Sequence, residues 1–396
     1  MHGHCAGRVT PDWCGNTLKA IALRSKILNL IHMATADRLP AIAQARQQLL
    51  HERNDQRPSG LAPWLQRGWQ RCMAWDLAPG QRVGFDAVSA ARMRQVQEAS
   101  QPLVQAARPV LAELVRAMGN IGYFAILTNA EGVVVDVHGP VDRSDRRADV
   151  IARVGVDLSE RAVGTSAISA ALTELQPVWL HRGEHFFDDT GVYSCAGAPV
   201  FGPDGQCAGM LDLTGVEVVE RPALKHLVRR AARSIENGWL LAAPHALTLR
   251  LNWPGNQPGD DSDGLLTLDA DGHIIGANPT ARQMLSLDVG TAVTHASDVF
   301  AMPWENLFDA SRREEGPCEV PLWSGLRLQT QAHRTGEASP VRSGAHSSGK
   351  ALRDVETELI RQAVVQARGN VAEAARSLGI SRATVYRKLG SGKTPG

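Results

Sequence analysis

The chain has 396 residues, 43% hydrophobic and 21% charged, with a formal charge of +1 at pH 7. This composition excludes collagen-like, disordered and membrane-spanning classes, and the length asks for two or three domains rather than one core. The near-neutral total hides a local asymmetry. Ala351 to Gly396 holds eight Lys/Arg against four Asp/Glu, leaving a net −3 on the remainder, so the basic footprint is C-terminal.

Six cysteines (Cys5, Cys14, Cys72, Cys195, Cys207, Cys318) form no C-x-x-C pair, which argues for reduced thiols rather than a disulfide framework. No apolar run approaches the roughly 18 residues of a bilayer span, and no signal-type N-terminus is evident. A soluble cytoplasmic protein is expected, with no membrane partner.

Residues 1–36 match nothing downstream. His2, His4, Cys5 and Cys14 are metal-capable but lack a standard zinc spacing, so no metal or other cofactor is expected. Residues 37–120 read as mostly helical. Helices are expected near Ala41 to Glu52, around Trp64, Trp69 and Cys72, and from Gln101 to Met118 with Gly119-Asn120 as the stop. Residues 121–241 change period. Tyr123 to Thr128 and Val133 to His138 flank the turn Asn129-Ala-Glu-Gly132, a hairpin signal. A helix near Thr165 to Thr173 and a strand at Pro177 to His181 follow. A second hairpin joins Cys195 to Phe201 with Cys207 to Thr214 across Gly202-Pro-Asp-Gly205, and Val219 to Leu241 closes the segment as a helix. Together these describe an α+β sensor-type domain.

Residues 260–332 repeat that grammar more weakly. Leu265 to Leu268, Asp269-Ala-Asp-Gly272 and His273 to Gly276 lead into Asn278 and a helix through Leu285, with strands at Cys318 to Trp323 and Leu326 to Gln331. Residues 333–350 are Ser-, Gly- and Arg-rich without periodicity, a flexible linker spanning about 25 Å on average.

Residues 351–390 carry the strongest signal. Asp354 to Arg368 is amphipathic, and Gly369-Asn370 separates it from the short helix Val371 to Leu378. Ala374 and Ala375 permit close helix approach, Gly379 suits a tight turn, and Ser381 is a good N-cap for a third helix. In that helix Val385 and Leu389 face inward, which leaves Arg382, Thr384, Tyr386, Arg387 and Lys388 outward. Base-edge donors beside phosphate-binding cations are what a recognition helix needs.

Gly369 to Leu389 closely resembles the Fis-type helix-turn-helix that ends bacterial enhancer-binding regulators. By matching position, the resemblance implies that Asn370, Ser381, Arg382, Thr384, Tyr386, Arg387 and Lys388 contact double-stranded DNA, with the protein bound as a homodimer. The middle of the chain resembles the same family. Val154 to Ser166, Glu184-His-Phe-Phe187, Cys195-Ala-Gly-Ala-Pro199 and Gly209-Met-Leu-Asp-Leu-Thr-Gly215 look like the GAF sensor domain of acetoin-catabolism-type regulators. Trp69-Gln-Arg-Cys72 and Asp76-Leu-Ala-Pro79 are similar to the segment preceding it, with Gly68 in place of the usual Ser and Asp76 in place of Gly. The segment from Gly264 looks like a degenerate PAS domain. The fold expected is therefore multidomain α+β: a GAF-type sensor, a PAS-like domain and an all-α helix-turn-helix.

Such regulators carry an AAA+ ATPase that remodels sigma-54 RNA polymerase between sensor and DNA-binding module. No complete G-x-x-x-x-G-K-[ST] phosphate loop occurs here; Ser391-Gly-Lys-Thr394 lacks the upstream glycine. The reading is a non-enzymatic regulator that works with RNA polymerase without ATPase activity. The resemblance implies a small alcohol, ketone or related metabolite as effector, in a pocket lined by Trp179, His181, His185, Phe187, Tyr193 and Cys195. Three alternatives remain at this point. His181 and His185, four apart, suit a metal; Cys195 with His185 suits a reactive thiol, and Cys195 and Cys207, flanking a hairpin, suit a pair formed on oxidation; and the chain suits an interaction subunit of an ATPase-bearing activator.

Overall fold

The computed structural model describes residues 38–52, 61–119, 121–289, 294–312 and 316–334, and in the C-terminal module 360–361, 363–365, 367, 369–378, 380 and 382–389. The expected extension 1–36, most of the linker 333–350, Gly379 and Ser381 lie outside them. The chain divides into two compact units, residues 1–66 and 67–396. In the first, helix α1 (Arg38–Arg46) runs into a π-helical turn at Gln47–His51 and buries Ile42, Ala45, Leu49 and Leu50. Helix α2 (Pro63–Ala74) follows.

Helix α3 (Ala90–Met118) starts eleven residues before the helix expected at Gln101. Pro102, next to the expected start, lies inside the helix, as does Pro109. Both are exposed, so water can solvate the carbonyls that lose their N–H donors. Ser89 caps the helix through its hydroxyl, which accepts from Arg92 N at 3.2 Å.

Strands β1 (Tyr123–Asn129), β2 (Val134–His138), β3 (Val178–His181), β4 (Tyr193–Phe201) and β5 (Cys207–Val216) form an antiparallel sheet in the order β2-β1-β5-β4-β3. Asn129 shapes the first turn, its Oδ1 accepting from Glu131 N and Val133 N at 3.1 and 2.9 Å. Period-two alternation divides the sheet into two faces. The register Trp179–Ala196–Leu213–Ala125 marks one. It is covered by α3, through Leu103, Ala107, Leu111 and Leu114, and by the helix Leu224–Ala242 through Val228, Ala231, Ala232 and Ile235. The register Leu180–Cys195–Thr214–Phe124 marks the other.

Between β2 and β3 lie the short helices α4 (Arg146–Ile151) and α5 (Glu160–Val163), then α6 (Ala167–Glu174). The last packs on β4 and β5. Gly197 makes that approach possible, because a Cβ there would lie 2.6 Å from Met210 Cε and 3.0 Å from the Ala167 carbonyl. Helix α7 (Leu224–Ala242) closes the layer.

A second antiparallel sheet comprises β6 (Leu247–Asn252), β7 (Gly264–Leu268), β8 (Ile274–Ala277), β9 (Cys318–Pro321) and β10 (Arg327–Arg334), ordered β8-β7-β6-β10-β9. Its middle strand, β6, lies before residue 260, where the expected PAS-like segment begins. Helices α8 (Pro279–Leu285), α9 (Ala296–Val299) and α10 (Glu305–Arg312) contribute Met284, Leu285, Ala296, Leu307 and Phe308 to its core. Asn278 ties this sheet to the first. Its Oδ1 accepts from Leu265 N and Ala281 N at 3.0 and 2.8 Å, while Nδ2 donates to Asp263 O and Asn237 Oδ1, each at 2.9 Å. Arg282 donates from Nη2 to the Pro203 carbonyl in the β4–β5 turn at 3.1 Å. The chain ends in α11 (Val371–Ser377) and α12 (Arg382–Leu389).

Candidate functional site

The sequence motifs singled out between Trp69 and Gly215 converge. Trp69 Nε1 donates to the Glu184 carbonyl at 3.0 Å, and Glu184 Oε2 accepts from His181 N at 2.7 Å. Arg71 makes a bidentate pair with Glu160 at 2.8 and 3.0 Å, and Cys72 Sγ lies 3.3 Å from Thr165 Oγ1. Burial pushes the Cys72 thiol up to about 11, so this cysteine is structural. The Gly68 departure has a steric reason in this backbone: a Cβ at 68 would lie 2.7 Å from Thr165 Cγ2. Helix α2 thereby holds both the 160–166 segment and the loop after β3.

Those two segments wall a small cavity over the β4–β5 face. Phe85, Ile151, Leu158 and Val163 are apolar wall residues, and Ser166, His185, Thr190, Tyr193, Cys195 and Thr214 also line it, the surface they present being mostly apolar. Its volume is about 20 Å³, room for roughly one water molecule. All these residues are buried except Phe85. Phe85 takes a left-handed backbone, φ +51°, and sets its ring edge-on to Tyr193 with centroids 6.2 Å apart. His185 meets the other side of Tyr193 at 6.4 Å, its Nδ1 2.9 Å from the Arg182 carbonyl.

Of the pocket residues expected from sequence, His185, Tyr193 and Cys195 line this cavity. Trp179, His181 and Phe187 do not. Trp179 faces the α3–α7 side, where Nε1 donates to Glu220 Oε1 at 3.2 Å and the ring stacks on His181. His181 Nδ1 lies 2.6 Å from Ser194 Oγ on that same side. The four-residue spacing of His181 and His185 therefore turns the two rings to opposite faces, because a strand end and a 3₁₀ turn, Arg182–Glu184, intervene rather than an α-helix. Phe187 packs edge-on to Phe186, 5.1 Å away.

The thiol alternative meets two physical obstacles. Cys195 is fully buried, which pushes its thiol well above the ordinary value, and Asp212 adds to the rise; a nucleophile needs the opposite. Cys195 pairs with Thr214 in register while Cys207 pairs with Phe201. Six strand residues, about 20 Å, separate them, so they cannot bridge.

Sequence reasoning missed the most unusual group beside the cavity. Asp212 lies between Gly197 and Ile126 in register, on the same face as Thr214. It is fully buried, and burial pushes its carboxyl up to about 7, the Thr214 hydrogen bond opposing the rise. Thr214 donates to Oδ2, whereas Oδ1 has no hydrogen-bond partner among the described residues. The available signal was a lone carboxylate in the apolar strand Met210-Leu-Asp-Leu213. Phe85 and Thr190 carried no local signal.

In the C-terminal module Ile360, Ala363, Ala374, Ala375, Leu378 and Val385 form one small core. Asn370 caps α11, its Oδ1 accepting from Ala372 N and Glu373 N at 3.1 and 3.3 Å. Ile380 N returns to the Ala375 carbonyl at 3.0 Å, the six-residue bond of a Schellman turn. On α12, Val385 is inward, Thr384 is half-buried, and Arg382 and Tyr386 are exposed one turn apart. Arg387 and Lys388 follow on the same helix.

Comparison with known proteins agrees with both halves. The family described as "MimR, N-terminal domain" matches residues 39–237, half of the chain, and "Bacterial regulatory protein, Fis family" matches 351–390. The acetoin catabolism regulatory protein of Cupriavidus necator is 32% identical over 262 residues, 64% of this chain and 38% of that protein. The propane 2-monooxygenase operon transcriptional activator MimR of Mycolicibacterium goodii is 29% identical over 196 residues, 49% of this chain and 32% of that one. The acetoin dehydrogenase operon transcriptional activator AcoR of Bacillus subtilis is 27% identical over 152 residues, 38% and 25% respectively. Among solved structures, the Escherichia coli DhaR(N)–DhaL complex aligns with a TM-score of 0.43 at 14% identity, over 69% of this chain and 100% of that chain. The chain spans about a third of the length of the curated relatives it matches.

Proposed function

Since this chain belongs to the family of transcriptional regulators with a MimR N-terminal domain and ends in a Fis-family helix-turn-helix, we propose that it binds operator DNA in response to a small metabolite. The observation that carries the reading is α12: Arg382 and Tyr386 stand exposed one turn apart, backed by the buried Val385. Arg387 and Lys388 add cations on the same helix. Asn370 spends its side-chain oxygen on the α11 cap, its N–H on the Ala367 carbonyl and one Nδ2 proton on Glu373, so its part in DNA contact is left to the second Nδ2 proton. Ser381 completes the interface carried over from the family. Binding as a homodimer to two half-sites is the geometry such modules use.

In the GAF-like sensor reading, the effector enters the cavity of His185, Tyr193 and Cys195. At about 20 Å³ that cavity must widen before it admits a metabolite, and Phe85 is the wall residue best placed to swing out. Relatives named for acetoin catabolism support a small neutral alcohol or ketone.

The regulator acts on RNA polymerase without hydrolysing ATP. Gly344, Gly349 and Lys350 stand at phosphate-loop spacing, but Ala351 lacks the hydroxyl that would ligate Mg²⁺. Genome-wide occupancy with wild type and Arg382→Ala tests the central claim. Loss of one bidentate contact, about 1–3 kcal/mol, should weaken specific sites roughly 5- to 150-fold. Unchanged occupancy would remove α12 from its role.

A further inference from the structure

The cavity face holds one polar group that the sensing reading leaves unused. Asp212 is fully buried with Oδ1 unpartnered, and Thr214, its hydrogen-bond donor, lines the cavity. The twelve wall residues include no Lys or Arg, and a second negative charge beside Asp212 is disfavoured. The ligand class is neutral.

Hydrogen-bond direction narrows it further. A threonine hydroxyl has one proton and two lone pairs. While Asp212 is ionised the Thr214 proton is committed to Oδ2. Cys195, held as the thiol by its burial, has its Sγ 3.5 Å from Thr214 Oγ1, so its S–H occupies one lone pair. The second lone pair is left for a ligand at the wall that Thr214 lines, and it accepts only. Ala167 and Ile168, which also line the cavity, begin α6, and first-turn N–H groups have no intrahelical acceptor. They donate only. A hydroxyl can donate to Thr214 and accept from α6; a ketone can only accept.

We propose that Asp212 is a positioning residue that fixes the direction of the Thr214 hydroxyl, so that the effector cavity selects small neutral alcohols over the matching ketones. This rests on the metabolite-sensing reading above and adds the specificity-setting pair to it. Neither residue was among the expected pocket residues.

The test is calorimetric titration of the full chain at pH 8 with 2-butanol and with butanone, for wild type, Asp212→Asn, Thr214→Val and Thr214→Ser, each first checked for cooperative unfolding. Wild type and Thr214→Ser should bind the alcohol roughly tenfold more tightly, the worth of one buried hydrogen bond. Asp212→Asn and Thr214→Val should bring the ratio close to one, since an amide can donate to Thr214 and free its proton. A merely structural Asp212 would change stability and leave the ratio alone. Binding without an alcohol preference, or a preference that survives in Asp212→Asn, overturns the inference while sensing stands. Binding of neither probe overturns both.

Discussion

Asp212 and Glu236 are carboxyls that folding moves away from water, and burial pushes each up to about 7. For Asp212 the ordinary value is 3.8, so between pH 4 and 7 the unfolded chain releases a proton that the folded chain keeps. Stability from this group therefore falls as pH rises through that window, by on the order of 4 kcal/mol, and is flat above it. Asp212→Asn should remove that share of the slope, leaving the variant relatively more stable at pH 8 than at pH 5. Urea denaturation of both proteins at the two pH values checks this; equal slopes would mean that Asp212 is solvated. Glu236 has the same sign but is differently held, its Oε1 accepting from Phe201 N at 3.0 Å.

At the level of elements, α3 illustrates how local signals mislead. Its inward positions Val96, Leu103, Ala107, Leu111, Leu114 and Met118 are buried, a helical period that continues through Pro102. Proline is costly inside a helix, yet burial of one long apolar stripe against β1, β2 and α7 outweighs it. Because Pro102 is exposed, Pro102→Ala should restore a backbone hydrogen bond at no packing loss. A gain of about 1–3 kcal/mol is expected, read as a higher thermal midpoint. A decrease would show that the freed carbonyl is bonded elsewhere. Helix α7 has a further role: its Asn237 meets Asn278 at 2.9 Å, so the helix that covers the first sheet also anchors the second.

Across the whole molecule, two antiparallel sheets joined at Asn237, Asn278 and Arg282 precede a small core around Val385. Among the described residues no helix is long and apolar enough to cross a membrane. Gly344, Gly349 and Lys350 stand at phosphate-loop spacing without the following hydroxyl. Purified protein should accordingly show no ATP hydrolysis above background with its operator DNA present, measured by phosphate release. DNA-stimulated turnover would refute the motorless reading.

The sequence by itself determined what local chemistry and period encode: both hairpins of the first sensor segment, the Asn278 cap, the α11–α12 module with Val385 inward, and the family these belong to. It also supplied His185, Tyr193 and Cys195 as neighbours of one cavity. Tertiary structure decided what depends on register and distance. Whether Trp179 or Leu180 faces the cavity is a one-residue question of strand phase, which an apolar run such as Val178 to Leu180 leaves open. Cys195 and Cys207 lie close in the chain but far apart along the strands. The recognition helix was legible because its exposed donors sit on one short helix. The Asp212–Thr214 pair was not, because the two side chains come together in a dry setting only once five strands, α6 and the Phe85 loop enclose them.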